Sequence, residues 1–161
     1  MAEKDWELYG WQKVVEDYLD SWEDLAGEQS IVTTNDFERN QKLSLHIKMP
    51  INSGHTFLTA YLSSQRPVAI VFRDIVHWKE IETSGAYFDF EVPNNCQAVS
   101  VFEIYHGIGE NMGRSPSRVL QDLKNKIQGT SAIIVDRADG VDSVAIEWLM
   151  NVATGPLVFL G

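Results

Sequence analysis

The run Pro67-Val-Ala-Ile-Val-Phe72 is continuously apolar and bounded by turn formers, the composition of a strand buried on both faces. Ser131-Ala-Ile-Ile-Val135, ending in Asp136, is a second such strand, and Gly155-Pro-Leu-Val-Phe-Leu-Gly161 is a third. Helical patterns lie between them. Ser115-Pro116 caps and opens a helix carrying Val119, Leu120, Leu123 and Ile127 and closed by Gly129, while Asp142 or Ser143 caps another that carries Val144, Ile146, Trp148, Leu149 and Val152. Strands alternating with helices predict an α/β fold, a mainly parallel sheet flanked by helices.

The rest of the chain is less regular. Trp11, Val14, Val15, Tyr18, Leu19, Trp22 and Leu25 recur at three- and four-residue spacing and predict an amphipathic helix over about residues 5–26, stopped by Gly27. The polar stretch Glu28 to Gln41 reads as a connection. Leu43, Leu45, Ile47 and Met49 alternate with Lys42, Ser44, His46 and Lys48, which gives a strand with one wet face. The turn formers from Pro50 to Thr56 run into a short helix at Phe57-Leu-Thr-Ala-Tyr-Leu62. Tyr87 to Val92 is a candidate strand and Ala98 to Tyr105 a further one, followed by a loop containing Gly107, Gly109 and Gly113. The expected organisation is an N-terminal helix over residues 1–27 and a core over 28–161, one domain overall.

Composition narrows the function. The formal net charge is −10, with many of the acids between Glu3 and Glu28, and such a surface repels a phosphate backbone. DNA is therefore expected as an indirect partner at most, and a protein partner or a second copy of the chain as the direct one. No run of eighteen apolar residues predicts a membrane span. Cys96 is the lone cysteine and Met1 to Trp6 lacks a secretory pattern, so a cytoplasmic, reducing location is expected. His46, His55, His77 and His106 are scattered without metal-ligand spacing.

One window carries chemistry. A P-loop places backbone N–H groups, a Lys and a Ser or Thr around nucleotide phosphates and magnesium, in the pattern Gly-x-x-x-x-Gly-Lys-Ser/Thr. Here Met49-Pro-Ile-Asn-Ser-Gly54-His55-Thr56 keeps the second Gly and the Thr but has Met for the first Gly and His for the Lys. Ile133-Ile-Val-Asp136-Arg137 supplies the apolar strand and terminal Asp that orient magnesium in such sites, with Arg137 where a water-positioning Glu would follow.

The segment from Ser131 to Gly161 resembles the Walker B strand, following helix and next strand of AAA+ ATPases, most closely those that select target DNA in transposition and related helicase loaders. The resemblance extends over most of residues 43–161, with its specific part in the last thirty. It implies a P-loop fold, expected here without the lid subdomain that AAA+ proteins carry. It also implies a cofactor site at Asn52, Ser53, Gly54, His55, Thr56 and Asp136, with Thr56 and Asp136 on the metal, and weak binding of ATP and magnesium at most. Trp11-Gln12 is similar to adenine-reading segments of some helicases and packaging motors. His55 is mostly neutral near physiological pH, its unperturbed pKa being about 6.5, and Arg137 cannot orient water as a carboxylate does. Little or no hydrolysis is expected.

Three functions are compatible with these residues. The first is a degenerate P-loop domain with a regulatory or architectural role in DNA transposition or replication. The second is an ATPase completed in trans on oligomerisation, and the third an acidic protein-binding or inhibitor module working through the N-terminal helix. The nucleotide readings require the bend at Asn52 to Thr56 and the Asp136 carboxylate to lie side by side, at the ends of adjacent parallel strands.

Overall fold

A computed structural model describes residues 10–29, 35–48, 55–87, 90, 97–110 and 118–161. Its elements are α1 (Gly10–Gln29), α2 (Asp36–Leu43), β1 (Leu45–Ile47), α3 (His55–Gln65), β2 (Val68–Phe72), α4 (Ile75–Tyr87), β3 (Gln97–Ser100), α5 (Val101–Glu110), α6 (Arg118–Gln128), β4 (Ala132–Asp136), α7 (Ser143–Val152) and β5 (Leu157–Leu160). The five strands form one sheet in the order β1-β5-β4-β2-β3, and every pairing is parallel. The α/β architecture expected from the apolar runs is the one observed.

Two apolar layers cover the sheet. On one face Val15 and Leu19 of α1, Leu58 and Leu62 of α3 and Ile81 of α4 pack on Val68, Ile70, Ile134 and Val158. On the other, Ile104 of α5, Leu123 and Ile127 of α6 and Leu149 of α7 pack on Val71, Ile133, Val135 and Phe159. The central strands β4 and β5 are buried at every residue, as continuous apolar runs demand. β1 pairs only with β5 among the described residues. That edge position accounts for the exposed His46 and for the polar Ser44 and Lys48 beside it, while Lys42 and Leu43, expected in the strand, close α2. Burial and the nearby Lys48 lower the pKa of His46, whose ring stacks on Phe159 at 4.5 Å.

Local caps override several expectations. The stretch read as a connection contains α2, because the Asn35 side chain accepts the Glu38 N–H at 2.8 Å as an N-cap. The strand expected over Ala98–Tyr105 ends at Ser100, where α5 begins. Ser100 Oγ accepts the Phe102 N–H at 3.2 Å and Glu103 Oε2 accepts the Ser100 N–H at 2.9 Å, a capping box written in the sequence as Ser-Val-Phe-Glu. Gly107 and Gly109, read as loop, lie within α5. A Cβ on Gly107 would stand 2.7 Å from the Leu120 side chain and 3.3 Å from its backbone N, so glycine lets α5 and α6 approach. Tyr87, expected to open a strand, closes α4; residues 88–89 and 91–92 of that expectation, Cys96 and Gly113 fall outside the described residues.

Helix α1 packs Trp11, Val15, Tyr18 and Leu19 on its own sheet, while Val14 is half exposed. Asp17, Asp20, Glu23, Asp24 and Glu28 face solvent. Tyr18 accepts the Leu157 N–H at 3.4 Å. Burial, partly offset by that bond and by Arg39, pushes its phenol up from 10.0 to about 12. A pKa raised in the folded state gives stability that is present below the unfolded value and lost as pH rises through the folded one. Between pH 10 and 12 this group should withdraw about 2–3 kcal/mol. Urea unfolding of parent and Tyr18→Phe across that window checks it: the variant should show the shallower decline, and parallel declines would exclude Tyr18 as the cause.

Candidate functional site

Parallel strands bring their carboxyl ends to one edge of the sheet, and the register there is tight: Ile47 lies beside Leu160, and Leu160 beside Asp136. The connection leaving β2 turns to α4 on one face, whereas that leaving β4 turns to α7 on the other. Connections diverging from neighbouring strands leave a crevice at their carboxyl ends, the usual ligand position in open α/β sheets. Asp136 ends β4 at this point.

The Asp136 carboxylate is 1% exposed and receives three protein donors. Oδ2 accepts the Thr56 hydroxyl at 3.4 Å and the His77 ring at 3.0 Å, while Oδ1 accepts the Arg137 N–H at 3.0 Å. Thr56 stands in the first turn of α3, so the structure brings together the two residues expected on the metal. They do not sit on adjacent strands, however. β5 lies between β1 and β4, a separation of roughly 10 Å at the usual strand spacing, and the side chain at the start of α3 spans it. Asn52, Ser53 and Gly54 lie outside the described residues, and His55 is described only as the first residue of α3.

His77 is the residue that sequence reasoning passed over. It is fully buried and sits at the third position of α4, behind the N-cap Asp74, whose Oδ1 accepts the His77 N–H at 2.9 Å. That bond leads the causes that hold the Asp74 carboxyl below its ordinary range, with Arg73 adding to it. The His77 ring turns back so that Nδ1 accepts the Arg73 N–H at 2.9 Å. A nitrogen accepting a backbone N–H carries no proton, so the other nitrogen bears it and Nε2–H donates to Asp136. The sequence signal was Asp74-Ile-Val-His77 directly after the buried strand, a cap pattern with His in the reaching-back position. Nothing in it announced that the ring would meet Asp136, 59 residues away.

Arg137 is the one non-glycine residue with positive φ among those described, at 54°. Its conformation turns the backbone N–H onto Asp136, and its guanidinium pairs with Glu80 of α4. The position expected to carry a water-positioning carboxylate thus holds a cation committed to a neighbouring helix.

Magnesium demands near-ideal octahedral oxygen ligands at about 2.0–2.1 Å and keeps several waters. Asp136, buried and bonded to three internal donors, keeps at most one of a carboxylate's roughly four acceptor sites open. The described part of the expected magnesium site is thus the Thr56–Asp136 contact with His77 added to it, and among the described residues no group of three or more His, Cys, Asp or Glu side chains is placed to hold a metal. No helix among the described residues is long and apolar enough to cross a membrane. Comparison with protein-family models and with curated proteins gave no match.

Proposed function

We propose that this chain is a P-loop-type domain in which an internal hydrogen-bond clamp replaces the metal-dependent machinery, and which acts through protein contacts rather than by turning over nucleotide. The observation that carries this is the coordination of Asp136. The carboxylate stands where the resemblance puts a Walker B acid, next to the Thr56 hydroxyl, yet the Nε2–H of buried His77 donates to the same oxygen. The clamp joins the N-terminal turns of α3 and α4 to the end of β4, so the crevice is already organised without a ligand.

Such a domain keeps the shape of a nucleotide-binding protein while losing its cycle. Its role is regulatory or architectural, and the resemblance of residues 131–161 suggests DNA transposition or replication as the setting. Partners are proteins or further copies of the chain. The exposed acids of α1 oppose direct contact with a nucleic-acid backbone.

Calorimetric titration with ATP in magnesium and in EDTA, alongside a turnover assay, tests the reading. The expected result is magnesium-independent, weak or absent binding, and turnover no faster than on the order of 10⁻⁴ s⁻¹, the intrinsic range of P-loop enzymes lacking an activating arginine. Turnover that climbs with protein concentration and disappears in Asp136→Asn would replace this proposal with an ATPase completed between subunits. Magnesium-dependent tight binding lost in Thr56→Ala would also overturn it.

A further inference from the structure

We propose that the space between α3 and α4 is a binding site for a flat, uncharged, mostly apolar molecule the size of indole. It stands independently of the role given to Asp136. A cavity of about 240 Å³ lies there, walled by Ile70 of β2, Trp78 and Ile81 of α4, Ala60 of α3 and Phe90. Liquid water takes roughly 30 Å³ per molecule, so the volume corresponds to about eight waters. It is a cleft partly open to solvent, with exposed Glu82 on its lining.

Gly85, in the last turn of α4, adds no side chain to the space. Glycine inside a helix costs about 1 kcal/mol relative to alanine, and a structural need normally explains it. None exists at this residue: it lacks the positive φ that would demand glycine, and a Cβ would meet nothing closer than the Ala60 Cβ at 3.9 Å, an ordinary contact. What the missing side chain supplies is volume. The Gly85 carbonyl also accepts the Phe90 N–H at 2.8 Å, and the Phe90 ring rests on Phe57 at 5.7 Å and Tyr61 at 5.8 Å. That wall is fixed by contacts outside the cavity.

The lining defines the ligand. Apolar walls penalise a charged guest by several kcal/mol, and apolar-walled cavities accept aromatic molecules. Trp78 and Phe90 offer ring surfaces for offset or edge contact. The polar lining groups are Ser63, whose hydroxyl donates to the Ala60 carbonyl at 2.7 Å, and Glu82, which is exposed. A ring N–H directed at Glu82 satisfies both the apolar interior and the acidic rim.

Ligand-observed saturation-transfer NMR with indole and with toluene on the whole chain tests the site. Both should bind, with half-saturation for indole on the order of 0.1–1 mM, the range expected for a guest of this size, and with indole the tighter. Glu82→Gln should narrow the gap between the probes. Gly85→Leu fills the cavity with a better helix former and should stay folded by circular dichroism while losing at least ten-fold in affinity for both. If it fails to fold, Gly85→Ala, which adds only an ordinary contact, should weaken both probes and raise the melting temperature. Absence of saturation by either probe below about 10 mM, or a folded Gly85→Leu that binds as the parent does, overturns the proposal.

Discussion

His77→Ala is expected to destabilise the fold by about 2–4 kcal/mol, because it leaves a buried carboxylate and a backbone N–H each short of a partner. The imidazole is fully buried and satisfies groups on both sides. Its loss deprives the Asp136 carboxylate of the Nε2–H donor at 3.0 Å and leaves the Arg73 N–H without its acceptor at 2.9 Å. The carboxylate, 1% exposed, has little access to water in exchange. Urea unfolding should show a lower midpoint with an unchanged slope; at slopes of about 1–3 kcal/mol per molar the shift is one to several molar. Thr56→Val, which removes a bond already stretched to 3.4 Å, should cost only about 1 kcal/mol. Combining His77→Ala with Asp136→Ala should cost less than the two singly, since the unpaired carboxylate goes with its partner. Additive losses, or a His77→Ala cost under about 1 kcal/mol, would show that the clamp carries no weight. Addition of magnesium to His77→Ala is a useful further arm. Recovery of stability would mean that the histidine stands in for a cation the scaffold still accepts.

The same pair marks the boundary of what could be read from the residues. Val68–Phe72, Ala132–Asp136 and Leu157–Leu160 were legible because strands buried on both faces carry one signal for all their positions. Asp136 and Thr56 were legible as motif positions, and the topology brings them together. His77 was not, because its partner is supplied by strand order. β2, which leads into α4, is the neighbour of β4, so His77 meets Asp136 across 59 residues, and no local pattern encodes which strands pair. The misreading of Ala98–Tyr105 has a different origin. Val99 and Val101 alternate as in a strand, yet Val101, Ile104, Tyr105 and Ile108 fit one helical face, and the capping box at Ser100 decides between the two periods.

The polar segment read as a connection hides the second large effect, at Asn40. Helix ends leave carbonyls unpaired, and the end of α7 is closed by this side chain, whose Nδ2 donates to Met150 O at 2.7 Å and Ala153 O at 2.9 Å. Arg39 reinforces it, donating to Ala153 O at 3.1 Å while its guanidinium lies over the Trp22 ring, 5.3 Å from the centroid. Asn40→Asp preserves shape and removes both donors. It sets a carboxylate against two carbonyl oxygens, at the negative end of a helix dipole, where the native residue is only 2% exposed. Arg39, 3.4 Å from the amide oxygen, would offset part of that repulsion, leaving an expected loss of about 2–4 kcal/mol. The loss should shrink at acid pH, where a protonated carboxyl regains one donor. Because α2 leads through Ser44 alone into β1, the strand that precedes α3 and Thr56, local opening should spread to both. Hydrogen exchange of Asn40→Asp should therefore accelerate at β1 and the first turn of α3 before β4. Uniform acceleration across the sheet would instead mean that α2 contributes only to global stability and does not position the crevice.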